Sequence, residues 1–277
     1  MSFDLRRYLA GSKKLDVSDL NFNEVRRHPV AAGEIRALQY MMDIEAHTLC
    51  YLRDLLNADA GRDPEIADFL ACWLYEESYH GRAIEKFVQA AGSNRYAAVC
   101  SRRRPSLRDR IQRLGSSVLH AVRADFHIVH MTWGSIQEIT TLTGYHCLAA
   151  KSRNPVLVEI LDRIVRDESR HFSFYYHKAQ QGLARSQGTQ TLTSALLRKF
   201  WGPVGYGVKP ASEVDFMLQY IFGDELGHEA IRHIDKTISR LPGLGWFNLM
   251  EKRYDAAMSR VPEDLPVWSN PAAVVMA

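Results

Sequence analysis

The apolar residues recur at spacings of three and four over four long stretches of the chain, a period typical of α-helices. The stretches cover about residues 31–57, 63–91, 118–151 and 155–187. Two of them open with an N-cap residue followed by proline, at Asp63-Pro64 and Asn154-Pro155, which is a common start of a helix. No stretch shows the period of two that a half-buried strand would give. The pattern therefore predicts an all-α fold.

Each of the four apolar stripes carries ionisable residues at its centre. The first stripe consists of Leu38, Met41, Glu45, Leu49, Leu52 and Leu56. The second is centred on Glu77 and His80, the third on Glu138, and the fourth on Glu168 and His171. An ionised carboxylate is costly to bury unless it is paired or binds a metal, so these groups in a predicted core require an explanation.

The pattern Glu-x-x-His occurs in both the second and the fourth stretch. Residues three apart on a helix lie about 300° round its axis and about 4.5 Å along it, so both side chains point to one side. Two such pairs, with one glutamate from each of two further helices, form the known ligand pattern of ferritin-like di-iron and di-manganese bundles. Oxygen-rich ligation with two imidazoles suits iron or manganese better than structural zinc. We predict two Fe ions, or Mn, bound by Glu45, Glu77, His80, Glu138, Glu168 and His171. The alternative is a set of buried ion pairs.

This ligand pattern, with the helix lengths, predicts a ferritin-like four-helix bundle at about 31–187. Further helical segments with less regular stripes follow at about 192–201, 214–240 and 247–260. We expect them to be additional C-terminal helices, at about 190–260, of a single domain that spans residues 1–277.

A third Glu-x-x-His occurs at Glu225 to His228. No further motif pairs with it, and it is interpreted as a surface or structural pair.

Two motifs resemble those of the soluble acyl-carrier-protein desaturase family. Residues 73–81 read WLYEESYHG, similar to that family's W-x-x-E-E-N-R-H-G, and residues 167–171 read DESRH, which matches its D-E-x-R-H. Glu45 followed by Tyr51, and Gln137-Glu138 followed by Thr141, fit the first and third ligand helices of the family. The resemblance covers about residues 31–185. The chain departs from it at Tyr79, which stands where the family has arginine, and in having no tryptophan before Trp73.

The resemblance implies a role for each site residue. Glu77 and Glu168 would bridge two irons, while the terminal ligands would be Glu45, His80, Glu138 and His171. Thr141 would lie near the oxygen-binding side, and Asp167 would hydrogen-bond a ligand histidine. Thr141 is equally open to interpretation as a helix-interior hydroxyl that bonds back to a carbonyl. Tyr51 and Tyr145 are interpreted as core aromatic residues.

The activity that the resemblance implies is O2-dependent oxidation of an unactivated C–H bond, most simply desaturation of an acyl chain on acyl carrier protein. A ferredoxin-type electron donor and a homodimer belong to the same expectation. A hydroxylase or N-oxygenase on another substrate would use the same ligands, and so would a ferritin-like protein that oxidises or stores iron. A radical-generating ribonucleotide reductase subunit and an inactive paralogue are further alternatives.

Composition and charge restrict these possibilities only slightly. Hydrophobic residues make up 46% and charged residues 24% of 277 residues, which are globular values. The net charge of +3 gives no reason to predict a nucleic-acid partner. The N-terminus lacks an apolar signal-peptide core and no stretch is apolar enough to span a membrane, so we expect a cytoplasmic protein.

Two local features of the sequence remain. Six arginines lie between Arg102 and Arg113, and this run is either a solvated surface or a docking site for an acidic carrier protein. The four cysteines form no CxxC pair, so neither a zinc site nor a disulfide framework is predicted. They are interpreted as buried free thiols.

Overall fold

The protein is described from a computed structural model that covers residues 3–57, 63–95 and 126–260. These residues form helices and connecting turns without a named strand, which confirms the predicted all-α, ferritin-like bundle with additional C-terminal helices. A short helix α1 (Leu5–Gly11) and a 3-10 helix (Phe22–Arg27) precede the bundle. The bundle consists of α2 (Ala32–Asn57), α3 (Pro64–Ala90), α4 (Phe126–Lys151) and α5 (Pro155–Arg185).

The helix starts at the two X-Pro pairs are confirmed. The Asp63 side chain accepts hydrogen bonds from the backbone N–H groups of Glu65 and Ile66, and Asn154 caps α5 in the same way. The amide of Asn154 also donates to the carbonyls of Val25 and His28. One side chain therefore both starts α5 and ties the N-terminal segment to it.

The bundle is built from two helix pairs, α2 with α3 and α4 with α5. The second pair packs closely because glycines face large side chains. A Cβ placed on Gly134 would lie 2.4 Å from Cδ1 of Tyr175, and one placed on Gly182 would lie 2.2 Å from Cδ1 of Ile128. The absence of a side chain at these two positions lets the α4 and α5 backbones approach each other.

Four further helices pack around α4 and the end of α5: α6 (Gln187–Phe200), α7 (Ala211–Phe222), α8 (Glu225–Ile238) and α9 (Leu249–Met258). The prediction of one continuous helix over 214–240 is wrong, because the chain breaks between α7 and α8. Asp224 caps α8 there by accepting from the N–H of Gly227. A Cβ on Gly227 would lie 2.3 Å from Cα of Phe222, so the break requires glycine.

Two other expectations about single residues are wrong. Leu49 is 52% exposed, since its position about 40° round the helix from Glu45 turns it to the solvent edge of the stripe. Cys50 is disulfide-bonded and therefore not a free thiol, whereas Cys72 and Cys147 are free.

Several predictions fall on parts of the chain that the structure leaves undescribed. They concern the arginine run from Arg102 to Arg113, the start of the third helix before Phe126, Cys100 and the side chain of Leu56.

Within the described ranges, no helix is both long and apolar enough to cross a membrane. The single-domain organisation stays a prediction.

Candidate dimetal centre

The six predicted ligands meet in the middle of the bundle. They form two overlapping groups of four whose ligand atoms lie within 4.8 Å of one another: Glu45, Glu77, His80 and Glu168, and Glu77, Glu138, Glu168 and His171. All six are buried, none more than 7% exposed. Glu77 and Glu168 belong to both groups, so they occupy the positions from which a carboxylate can bridge two ions.

The two histidines point their Nδ1 atoms into this cluster. His80 Nδ1 lies 3.3 Å from Oε1 of Glu168, and His171 Nδ1 lies 3.0 Å from Oε1 of Glu77. Glu45 and Glu138 stand slightly farther off, at 4.0 Å from His80 and 3.8 Å from His171. Each histidine therefore faces one carboxylate from its own side and both shared ones.

Several of the inward-facing atoms lack a hydrogen bond. These are Nδ1 of His80, Nδ1 of His171 and both carboxylate oxygens of Glu168. Buried polar atoms are normally hydrogen-bonded, and an exception calls for an explanation such as an ion. The unpartnered atoms are imidazole nitrogens and carboxylate oxygens aimed at one another across the cluster, which is the donor set of a dimetal cofactor.

The outward-facing nitrogens of both histidines are held by carboxylates. His80 Nε2 lies 3.1 Å from Oδ2 of Asp167, as the resemblance implies, and His171 Nε2 lies 2.7 Å from Oε2 of Glu76. The sequence interpretation missed Glu76. Both acids directly precede the glutamate of one Glu-x-x-His motif and hold the histidine of the other motif. This shared position in WLYEESYHG and DESRH is the signal that could have identified Glu76.

Two further side chains complete this outer layer. Arg170 Nη2 donates to Oε1 of Glu76 at 3.1 Å and to Oδ1 of Asp167. The Tyr8 hydroxyl donates to Oε2 of Glu76 at 2.9 Å. Neither residue was singled out from the sequence, and Tyr8 belongs to α1, which the apolar pattern did not predict. The short N-terminal helix therefore reaches the neighbourhood of His171.

The other residues implied by the resemblance are placed as follows. Tyr145 is fully buried and donates its hydroxyl hydrogen bond to Oε1 of Glu45, so it is more than a core aromatic. Tyr51 packs edge-on against Trp73, one turn before Glu77. Thr141 is half-buried. Its catalytic role stays a prediction.

A small apolar pocket lies one helical turn from the cluster. Its lining includes Met41, one turn before Glu45, and Thr141, one turn after Glu138. Tyr40, Thr140 and Gly144 also belong to α2 and α4, and the opposite wall comes from α7 and the chain before it. That wall consists of Pro203, Val204, Val214, Met217, Leu218, Ile221 and Phe222. The additional helices thus create an apolar space beside the ligands.

The electrostatics of the cluster reflect burial of like charges. Burial and the neighbouring carboxylates raise the pKa of Glu45 and Glu138 well above their usual range. Burial alone would lower the pKa of His80, but its hydrogen bond to Asp167 and the nearby carboxylates of Glu168 and Glu77 raise it to about 9. The pKa of His171 is raised for the same kind of reason. In the metal-free protein, protons therefore balance the cluster, and bound cations would displace them.

No family model and no curated protein matches the sequence. Solved structures do match, and they include R2-like ligand-binding oxidases with a Mn/Fe cofactor. One is a point mutant with an aerobically reconstituted cofactor, which matches with a TM-score of 0.54. Another point mutant, with an anaerobically reconstituted cofactor, gives 0.55, and a protein reconstituted aerobically with a long soak gives 0.52. Each is 16% identical to this chain, and 94% of this chain is covered, with 92–93% of the other. At this identity the likeness concerns the fold. The chain has the fold of R2-like ligand-binding oxidases, and the narrower resemblance to desaturases gains no support from these matches.

Proposed function

We propose that this protein is a dimetal oxidase that uses O2 to oxidise an organic substrate. One observation carries the proposal: two buried carboxylate–histidine groups share Glu77 and Glu168 and direct unpartnered donor atoms at one another. A purely structural cluster of this charge would leave those atoms unsatisfied.

The two overlapping groups support two metal positions. Glu45 and His80 would bind one ion, Glu138 and His171 the other, with Glu77 and Glu168 between them. Oxygen donors with one imidazole per ion suit iron and manganese. The Mn/Fe cofactor of the oxidases with the same fold agrees with either metal.

A bound metal pair would supply the oxidant that an unactivated C–H bond requires, because no side-chain acid or base can remove that hydrogen. The chain's own residues orient the centre. Asp167 and Glu76 hold the Nε2–H groups of the two histidines outward, which leaves Nδ1 free to bind a metal. Tyr145 fixes one oxygen of Glu45.

We further propose that the substrate has an apolar portion, which enters beside Met41 and Thr141. The wall of this pocket is almost entirely apolar, and two of its lining residues lie one helical turn from Glu45 and Glu138. Desaturation of an acyl chain on acyl carrier protein is the specific form that the two motifs favour. Hydroxylation is the other outcome of the same centre. The mass of the product distinguishes loss of two hydrogens from gain of oxygen.

The partners in this proposal are an acyl carrier protein, a ferredoxin-type electron donor and a second copy of the chain. Carrier binding can be tested by replacing Arg103 and Arg104 with glutamate. A carrier that docks on the arginine run should bind these variants more weakly at low salt. Unchanged binding would remove that assignment.

The first experiment is a metal titration of the full-length apoprotein. Fe2+ under anaerobic conditions, or Mn2+, should bind at two ions per chain in the wild type. His80→Ala and His171→Ala should each lower the stoichiometry or the affinity. The matched control is His228→Ala, which removes the histidine of the third Glu-x-x-His motif and should change neither. Absence of metal above background in the wild type would contradict the proposal.

A second experiment tests oxidation once metal binding is established. The loaded, chemically reduced protein is exposed to O2 in the presence of acyl carrier protein bearing acyl chains, or of free fatty acids, and products are identified by mass. Thr141→Val and Met41→Trp should change product yield through the pocket. Oxygen uptake without any organic product would instead favour simple metal oxidation.

A further inference from the structure

One guanidinium nitrogen links the two halves of the candidate metal centre. Nη2 of Arg170 contacts both Glu76 and Asp167, the carboxylates that hold the two ligand histidines. Each carboxylate accepts a hydrogen bond from Arg170 with one oxygen and contacts a histidine with the other. Oε2 of Glu76 contacts His171, and Oδ2 of Asp167 contacts His80. The two histidines are therefore connected through one arginine.

This arrangement constrains both imidazoles. A carboxylate held at only one oxygen can rotate about its terminal bond, whereas one held at both oxygens has a fixed plane. The fixed plane determines the direction of the Nε2–H bond and hence that of the opposite nitrogen, Nδ1, which faces the cluster. Such outer contacts set the tautomer and orientation of ligand histidines.

The two motifs are unequal at this position. Arg170 directly precedes His171, and the corresponding residue before His80 is Tyr79. The Tyr79 ring stacks edge-on with Tyr75 and lies under the guanidinium of Arg82. Glu76 and Asp167 both form an ion pair with Arg170. Among the described residues, no other lysine or arginine forms an ion pair with either of them. A single arginine therefore binds the outer carboxylates of both motifs, whereas a symmetric sequence would place one arginine in each motif.

We propose that Arg170 is a positioning residue for both metal ions. The inference rests on the proposed dimetal function and extends it, because it predicts that one residue outside the ligand set controls both binding constants. The Arg170 side chain is 33% exposed and lies behind the histidines, so it contacts neither the ligand atoms nor the pocket. Its effect must pass through Glu76 and Asp167.

The test is stepwise Mn2+ binding to the full chain, followed by manganese EPR. Arg170→Gln removes the charge that both carboxylates share. It should weaken both stepwise binding constants by about 10-fold, the low end for changes to outer partners of metal ligands. Asp167→Asn and Glu76→Gln should each weaken mainly one constant. Arg166→Gln, the same substitution at an exposed position one turn earlier on α5, should weaken neither.

A spectroscopic readout separates positioning from general destabilisation. In Co2+-loaded protein the visible absorption bands report the ligand geometry at each ion. Arg170→Gln should shift the bands that Asp167→Asn shifts and those that Glu76→Gln shifts. Arg170→Lys keeps a positive charge on a single nitrogen. Because both carboxylate contacts of Arg170 are made by one nitrogen, Nη2, this variant should keep most of the affinity. If Arg170→Gln does not fold, Arg170→Met, which keeps the aliphatic stem beside Tyr8 but no charge, is measured in its place with the same expected loss of both constants.

The outcomes are distinct. Two ions bound by the wild type, with both constants lowered in Arg170→Gln, support the inference. If that variant keeps wild-type constants, or loses only one of them, the inference is overturned and the proposed function stands. If the wild type binds no metal, both are overturned.

Discussion

Gly81 of α3 lies directly against Glu45 of α2: a Cβ built on Gly81 would be 3.1 Å from the Cβ of Glu45. Glycine at this position lets the two helices approach closely at the level of the cluster. The close approach places the Glu45 carboxylate beside His80, which is one residue earlier on α3 than Gly81. The geometry of this candidate ligand therefore depends on a missing side chain.

Gly81→Ala should separate stability from metal binding. A methyl group would push Glu45 away by a few tenths of an ångström, and we expect weaker binding of one metal ion. Alanine also favours the helix by about 1 kcal/mol over glycine, which offsets the steric cost in the metal-free protein. The melting temperature of the apoprotein should change little. Gly144→Ala, whose Cβ would meet its nearest neighbour at an ordinary 3.8 Å, is the control. Equal metal affinity in both variants would contradict the prediction.

Metal ions should stabilise the fold. An ion present at 100 times its dissociation constant adds about 2.7 kcal/mol, which raises the melting temperature of a domain this size by about 5–10 °C. Glu138→Gln removes a buried carboxyl whose pKa is raised by burial and by Glu168 and Glu77. Because the raised pKa means that this carboxyl must take up a proton on folding at neutral pH, which costs free energy, the variant should melt no lower than wild type without metal. It should also lose much of the metal-induced increase. Calorimetry with and without Mn2+ measures both effects.

The contact between Gly182 and Ile128 should appear as a coupling energy. Gly182→Ala forces a methyl group into the Ile128 side chain and should destabilise the protein by about 1–3 kcal/mol. Ile128→Ala removes the clash but leaves a cavity. The double variant should therefore lose less stability than the sum of the two, by about 1 kcal/mol or more in urea unfolding. Strict additivity would show that the helices do not meet here. Gly188→Ala, with its nearest neighbour at 3.6 Å, serves as the control.

Asp235 should give the stability a recognisable pH dependence. Burial raises its pKa to about 6 from the ordinary 3.8, and the N–H groups of Glu251 and Met250 offset this only in part. The folded state then binds the proton more tightly than the unfolded state. Between about pH 4 and 6, this carboxyl therefore lowers the free energy of unfolding as the pH rises, by up to about 3 kcal/mol. The full cost is present above about pH 6.

Asp235→Asn removes this titration. The stability of the variant minus that of the wild type should increase from pH 4 to 6 and then level off. The lost acceptor oxygen adds an offset that does not vary with pH. Urea unfolding at several pH values measures the difference, with Asp255→Asn, the same substitution at an exposed position on α9, as the control. A flat difference for Asp235→Asn would refute the prediction.

The bundle and the grouping of the six candidate ligands could be predicted because both follow from local rules. Helical periodicity places Glu77 and His80 on one face, and the cost of burying carboxylates indicates a shared partner. Glu76 could have been found by the same reasoning, since it occupies the position of Asp167. Asp167 was identified in the second motif, and its equivalent in the first motif could have been identified by comparing the two.

The remaining residues depend on distances between helices, which periodicity does not determine. Tyr145 reaches Glu45 only because α4 lies at a particular distance from α2, and an apolar stripe cannot distinguish it from a core aromatic. Tyr8 contacts Glu76 through the packing of α1 on α3. Leu49 is exposed although its spacing fits the stripe, since a position about 40° from the centre is covered only if a neighbouring helix extends that far.

The crossed pairing of acids and histidines also bears on the order of folding. His80 and Asp167 are 87 residues apart, and His171 and Glu76 are 95 apart. We expect contacts of such long range to form after the local helix pairs, because closing a longer loop costs more entropy. The α2–α3 hairpin alone would hold His80 without its partner, and the α4–α5 hairpin would hold His171 without its partner. Both histidines would therefore acquire their partners when the two hairpins dock. Before that step each hairpin alone would hold three of the four candidate ligands of one ion and only one of the four of the other.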